Sequence, residues 1–412
     1  MSLPVTPIAS GHEGNLRDQF NAYISRLKNG EMGSLPAIGA TLVLTAIFAS
    51  LSPYFLSKLN FANMFVQAAE LTMLSAALVF VLVLGEIDLS AGVTAGVAMA
   101  SFIVLVNGGV NWVLSLVVGF IVGLTIGWVI GFFVAKIGVP SFIVSLAFFL
   151  GFQGMQLVLL GEGGVYRIEV PEILAIMNNN MPDWAGYLMI AIMAVVSLAI
   201  ALWDRSRRAG AGLVNKPIAM VWIKIGAIAI LGGVAVLFLN DNRSQGPIPI
   251  EGVPIVVPFT IAILFIGTFV LDRSRFGRHL YAVGGNPEAA RRAGIKVAKV
   301  RILAFMICAF LAVVSGVFHS SRIGNVDGSA GHTIVLSGVA AAVVGGVSLF
   351  GGRGRLVHAA IGAVVITMID NGLGLLGLSA GINYLVEGGV LLLAATIDAL
   401  ARKRSGASLA RS

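Results

Sequence analysis

Charge is scarce in this chain: Asp, Glu, Lys and Arg make up 11% of its 412 residues, against 58% hydrophobic residues. Mean hydropathy is +0.95, a value that soluble domains, at about 45–50% apolar content, do not reach. Cysteine is nearly missing. Cys308, the one residue of its type, lies in an apolar run, so no intrachain disulfide can form and a packing role is expected. The five histidines (12, 279, 319, 332 and 358) are scattered, and no His/Cys/carboxylate cluster has metal-ligand spacing, which argues against an enzyme. There is no G-x4-G-K-[S/T] phosphate loop and no Gly-Lys pair anywhere, so any ATP-driven work must borrow its nucleotide site from another chain. Sustained period-2 alternation is also missing, which excludes a transmembrane barrel and leaves helices to satisfy the backbone in lipid. The first 35 residues contain no apolar core of the kind a cleaved signal needs, so none is expected.

Apolar runs dominate what remains. Twelve stretches qualify as spans, at about 36–56, 62–84, 91–106, 112–135, 140–160, 186–203, 218–239, 257–271, 302–320, 334–350, 356–376 and 382–400. Most approach the roughly 20 residues that cross a hydrocarbon core; 91–106 and 257–271 are the shortest. The 51 glycines fit close helix packing in a membrane. The expected fold is an all-α polytopic membrane protein with about 12 transmembrane helices. Ahead of the first span, Leu16, Phe20, Ile24 and Leu27 share a helical face opposite Arg17, Asp18, Asn21 and Lys28, which predicts a short amphipathic helix on the membrane surface.

Orientation follows from the basic residues. If the N-terminus is cytoplasmic and all twelve stretches cross, 22 of the 27 Lys and Arg fall in inside segments and 4 in outside loops, with Lys224 inside a span. That bias places both termini in the cytoplasm. The expected organisation is a cytoplasmic segment 1–35, a transmembrane region 36–400 and a basic cytoplasmic tail 401–412. "DRSR" occurs at Asp204–Arg207 and again at Asp272–Arg275, each time directly after an apolar span. The two spans between the copies predict an inserted helix pair over 204–271. A second echo relates Gly85–Gly92 to Gly345–Gly352, both reading G-x-[I/V]-x-L-x-x-G, as in transporters built from repeated halves.

The largest anomaly is the inside segment 272–301, which holds eight Lys or Arg. Within it, "NPEAARRAG" carries helix start and stop signals. Asn286 can cap, Pro287 suits the first position, Glu288 favours the N-terminal dipole and Gly294 ends the helix. Ala289, Ala290 and Ala293 give it a small-residue face beside Arg291 and Arg292. A lipid-headgroup patch or a solvated loop would account for the charge alone. Neither needs a defined helix, which favours a docking helix for a cytoplasmic partner.

The spacing E-A-A-x3-G at Glu288–Gly294 resembles the coupling loop of ATP-binding-cassette importer permeases. "FGRHLYAVGGNPEAARRAGI" resembles more specifically the branch that imports monosaccharides such as ribose, xylose, arabinose and galactose. "VLVLGEIDLSAGVTAG", "VPSFIVSLAFFLGFQG", "VVGGVSLFGGRGR" and "MIDNGLGLLGLS" are similar to further stretches of that branch, in the same order. The resemblance covers about 60–400 apart from roughly 204–271, and long members with extra spans resemble xylose-type permeases. It implies that Gly285 together with the 286–294 helix docks a separate cytoplasmic ATPase. ATP and Mg would then be bound by that partner, with no cofactor in this chain. It further implies a soluble sugar-binding protein on the outer face, near loops such as 161–185 and 321–333, and a pore of two copies in a bacterial inner membrane. Lipid is the remaining partner, and no nucleic acid is expected. Four positions depart from the family pattern: Glu86 replaces a usual Gly, Val335 and Ser337 stand where many members have an acidic pair, and Asp370 replaces an Asn.

Ionisable groups inside spans are functional candidates by default, because hydrocarbon makes them expensive. Sugar hydroxyls call for weak hydrogen bonds and aromatic faces, which nominates Glu70, Asp88, Ser90, Phe142, Ser145, Gln153, Gln156 and Asn371 for the translocation pathway. Ser and Gln in membrane helices also serve to join helices to one another. The competing reading is an ion-coupled secondary transporter with Glu70, Asp88 and Glu387 as its proton or sodium relay.

Overall fold

The structure is a computed structural model and describes residues 33–213, 215, 217–244, 246–329 and 331–409, with side chains through residue 400. The expected amphipathic helix at 16–27 lies outside these residues. Two compact units emerge: residues 180–253 form the smaller, and 33–179 with 254–403 the larger.

In the larger unit, α1 (Leu35–Leu51), α2 (Lys58–Leu82), α3 (Ala91–Asn107), α4 (Trp112–Phe132, continued by a π turn at Phe133–Ile137) and α5 (Ser141–Leu160) follow one another. A three-residue strand β1 (Val165–Arg167) and a short helix α6 (Pro171–Asn178) complete this half. The smaller unit then contributes α7 (Asp183–Gly210) and α8 (Ile218–Asn240). The larger unit resumes with α9 (Val256–Arg273), α10 (Arg275–Gly285), α11 (Pro287–Arg292), α12 (Val297–Ile323), strand β2 (Asn325–Asp327), α13 (Ile334–Val344), α14 (Leu356–Leu375) and, through residue 403, α15 (Ala380–Leu409).

Among the described residues, nine helices are long and apolar enough to cross a membrane, and three shorter apolar ones are α1, α3 and α13. Each of the twelve apolar runs in the sequence therefore contains a helix. The 334–350 run departs in length, because its helix stops at Val344. Eleven residues rise about 16 Å, half of a hydrocarbon core. Gly346 at φ +103° turns the chain out of the helix, and the 345–355 turn that follows is buried at Gly345, Val347, Ser348, Gly351 and Gly354. Irregular backbone at such depth is tolerated where protein surrounds it.

The helix α2 is the hub of the larger unit. Across its apolar stretch 83% of residues are buried, against 28% for α5 and 6% for α15. Met73, Leu74, Leu78, Phe80 and Leu82 are fully enclosed, with Met99 and Phe102 of α3 and Phe305 of α12. The sequence permits this density by omitting side chains at helix crossings. A Cβ on Gly127 of α4 would lie 2.6 Å from the Phe305 carbonyl oxygen, and one on Gly131 would lie 2.8 Å from Ile302 Cα, so α4 and α12 meet backbone to backbone. Outward faces stay apolar, as at Leu42, Val158 and Leu385, which suits a surface solvated by lipid tails.

β1 and β2 pair antiparallel, with Val165 opposite Asp327 and Arg167 opposite Asn325. Beside them α6 is tied to the end of α12: Ser321 Oγ donates to the Ile173 carbonyl at 2.6 Å and Asn178 Nδ2 to the Ser321 carbonyl at 2.7 Å. The two loops singled out in the sequence, 161–185 and 321–333, are thus joined through residues 165–178 and 321–327.

In the smaller unit α7 packs along α8. Gly186 faces Val236 and Val253, and Gly232 faces Ile190. Arg243 is buried there, its guanidinium donating to the carbonyls of Leu239 and, at 3.0 Å, Gly252. This unit begins before the 204–271 stretch bounded by the sequence repeat and ends inside it: α7 belongs to it, whereas α9 packs in the larger unit against α2, α10 and α14.

Candidate functional site

The basic segment folds into two short helices. Ser274 caps α10 by accepting from the Gly277 N–H at 3.0 Å. Asn286 then breaks the helical path and caps α11: its Oδ1 accepts from the N–H groups of Glu288 at 3.1 Å and Ala289 at 3.0 Å. Pro287 takes the first turn, where its missing donor is harmless. Gly294, at φ +83°, supplies the left-handed residue that ends the turn.

One alanine of α11 is inward. Ala290 is buried, whereas Ala289 and Ala293 stay exposed with Glu288, Arg291, Arg292 and Gly294. The three alanines therefore split into one that anchors the helix and two that remain on its surface. Glu288 pairs with Arg291 at 3.0 Å and Arg292 at 3.3 Å, all three largely exposed. These pairs contribute little to stability, and they set a carboxylate beside two guanidinium groups on an exposed helix. Gly285 and Gly294 each have open space where a Cβ would stand.

Behind this helix, Tyr281 of α10 donates its hydroxyl to the Gly354 carbonyl at 2.6 Å. Burial, and next the charge of Asp272, push this phenol up to about 12, so it remains a donor at neutral pH. Arg301 of α12 faces Glu86 at 3.2 Å, the position where the resembled family usually carries Gly.

The pathway candidates divide. Asp88, Ser90, Ser145 and Gln156 gather around α3, the start of α5 and the turn between α2 and α3. The Asp88 carboxylate accepts from the Ser90 N–H at 2.9 Å and hydroxyl at 2.6 Å, and Cys308 Sγ lies 3.9 Å away. Ser145 Oγ donates to the Ile87 carbonyl at 3.4 Å, and Gln156 Nε2 to the Val93 carbonyl at 3.2 Å. Ser141 Oγ, which the sequence did not nominate, accepts from the Ile87 N–H at 3.1 Å. These contacts pin α5 to the turn, and Gln156 keeps one buried oxygen without a partner.

Glu70 stands in a different place. His319 Nδ1 lies 2.8 Å from one of its oxygens, and Arg322 Nε donates to the other at 2.9 Å. Its side chain is 4% exposed, so this is an enclosed ion network joining α2 to α12. Asn371 exchanges two hydrogen bonds with Asn60, at 2.8 and 2.9 Å, and joins α14 to α2. Glu387 accepts from the Ser337 hydroxyl at 2.6 Å. Phe142 is exposed and Gln153 half-buried on one face of α5, and the Phe142 carbonyl accepts from the Ser145 hydroxyl at 3.3 Å. Sequence reasoning missed the partners His319, Arg322 and Arg301, which lie over 200 residues from the acids they meet and carry no local signal.

These features define a class: a polytopic helical membrane protein in which Glu70 ties two helices together through His319 and Arg322 and a short basic helix, α11, is left exposed. The family described as the permease component of branched-chain amino acid transport systems matches residues 60–395, and the chain belongs to that family. It is 32% identical over 384 residues to the xylose transport system permease protein XylH of Escherichia coli strain K12, covering 92% of this chain and 95% of that one. XylH of Haemophilus influenzae is 32% identical over 368 residues, 89% of this chain and 96% of its own. The ribose import permease protein RbsC of Bacillus subtilis is 31% identical over 377 residues, 92% and 95% respectively. No solved structure matches.

Proposed function

We propose that this chain is the membrane-spanning subunit of an ATP-driven importer that carries a monosaccharide, a pentose such as xylose, by alternating access. The observation that carries the reading is α11. It is a capped, exposed helix whose residues Glu288–Gly294 have the E-A-A-x3-G spacing of a coupling loop, in a chain without a phosphate-binding loop of its own. A cytoplasmic ATPase seated on Glu288, Ala289, Arg291, Arg292 and Ala293 would bind ATP and Mg and supply the work. An extracytoplasmic sugar-binding protein would deliver substrate to the β1–β2 and α6 region. The similarity to xylose and ribose permeases over 92% of the chain supports the choice of a pentose.

One coupling helix per chain matches one ATPase domain of two, so two copies form the pore. The face of α5 that carries Phe142, Leu146, Leu150 and Gln153 suits the pathway between them. It is largely open in one chain and combines an aromatic ring with an amide, which is what weak sugar binding needs. Asp88 and Ser90 hold the turn behind it. The ion-coupled alternative is less well supported, because both oxygens of Glu70 are already engaged by His319 and Arg322, and Glu387 is held by Ser337.

Uptake of labelled xylose and ribose into proteoliposomes bearing this chain with its ATPase and binding protein tests the reading. Accumulation is expected only with ATP, unaffected by proton and sodium ionophores, and xylose is expected to outcompete ribose. Uptake without ATP that collapses with an ionophore would instead make the carboxylates the mechanism.

A further inference from the structure

Three backbone segments far apart in sequence meet beside the proposed coupling helix. The Val83 carbonyl, just past the end of α2, accepts from the Gly352 N–H at 2.8 Å. A Cβ on Gly284 of α10 would lie 1.8 Å from that same oxygen and 3.0 Å from the Gly352 nitrogen. A Cβ on Gly351 would lie 2.8 Å from the Gly85 nitrogen and 3.0 Å from the Gly284 carbonyl oxygen. No side chain fits between these strands of backbone. The two turns that echo one another in sequence, Gly85–Gly92 and Gly345–Gly352, are therefore in direct contact, and Gly284 closes the junction two residues ahead of Asn286, the cap of α11.

Two side-chain links run in parallel. Tyr281, three residues before Gly284, donates to Gly354 at 2.6 Å. Glu86 in the first turn faces Arg301 on the far side of α11 at 3.2 Å. Interfaces made of side chains absorb small shifts by changing rotamers, whereas close-packed interiors transmit them. A backbone-to-backbone contact has no rotamers to change. Movement of the α10–α11 segment must carry both turns, and with them the start of α3, where Asp88 and Ser90 sit, and the end of α13.

We propose that Gly284 and Tyr281 are positioning residues for transport, forming the joint through which displacement of α11 reaches the two inner turns together. The inference rests on the reading of α11 as the ATPase contact. In the reconstituted complex, xylose uptake and ATP hydrolysis are measured on the same vesicles for Gly284→Ala, Tyr281→Phe and Gly226→Ala. Gly226 has open space around it and controls for a Cβ added to a helix. The expected result is a several-fold fall in sugar carried per ATP for Gly284→Ala and Tyr281→Phe, with ATPase still bound and hydrolysing, and wild-type behaviour for Gly226→Ala. If Gly284→Ala fails to fold, Tyr281→Phe decides, since it removes one hydroxyl only. An unchanged ratio of uptake to hydrolysis in Tyr281→Phe overturns the joint. Glu288→Arg separates the two ideas. If it leaves ATP-driven uptake intact, the reading of α11 has failed; if it abolishes uptake while the other variants keep a normal ratio, the joint alone has failed.

Discussion

Glu70 shows what a single charge can do at membrane depth. Enclosed between His319 and Arg322, it is a fastener of α2 to α12, and removing one side of a buried pair costs about 3–5 kcal/mol. His319 and Arg322 remain in partial contact with solvent, so Glu70→Ala is expected at the lower end of that range. A double-mutant cycle with Arg322→Ala, read by thermal unfolding in detergent, should return a coupling of about 0.5–3 kcal/mol; strictly additive losses would show the pair to be idle. Tyr281 carries a pH prediction. Its folded value, about 12, lies above the ordinary tyrosine value of about 10. The stability it contributes is therefore fully present below pH 10 and is lost as pH rises through 12. Tyr281→Phe should lack this alkaline loss, and parallel unfolding profiles for wild type and variant between pH 9 and 12 would contradict the assignment. Residue roles were the least legible part of the sequence. A Ser or Gln in an apolar run reads the same whether it faces a pore or, like Ser145 and Gln156, a neighbouring carbonyl. Glu70 and Arg322 are brought together only by the fold.

At the scale of the element, legibility was much better, because the signals are local. Apolar length alone located a helix in each of the twelve runs, and Asn286-Pro287 with Gly294 marked both ends of α11. In the 334–350 run hydropathy continues past Gly345–Gly346, while the helix ends at Val344. The limits of the smaller unit carry no local signal, because pairing of α7 with α8 depends on Gly186 and Gly232 meeting Val236, Val253 and Ile190 across the interface. Two predictions belong here. Asn286→Ala removes the acceptor for two N–H groups, a loss of about 1 kcal/mol for the helix, and amide exchange at Glu288 and Ala289 should accelerate; unchanged exchange would deny the cap its role. Gly127→Val forces α4 away from the Phe305 carbonyl, and such overpacking costs about 1–3 kcal/mol or more. Folded yield should fall sharply, while Gly233→Val, which has open space around it, should fold normally.

At the scale of the whole molecule, a member of a permease family combines an enclosed hub around α2 with an exposed helix, α11, that follows Gly284, whose backbone lies against Val83 and Gly351. The central claim is that work enters through α11. The most direct measurement is ATP-driven xylose uptake by vesicles carrying wild type, Glu288→Arg or Gly294→Trp together with the ATPase and the binding protein, alongside the amount of ATPase retained on the permease. Glu288→Arg breaks the carboxylate–guanidinium array on the exposed face, and Gly294→Trp fills the open space at its end and strains its left-handed turn. The account predicts that both variants insert normally, lose ATPase from the membrane and abolish uptake. Full uptake with ATPase still bound in both variants would contradict it.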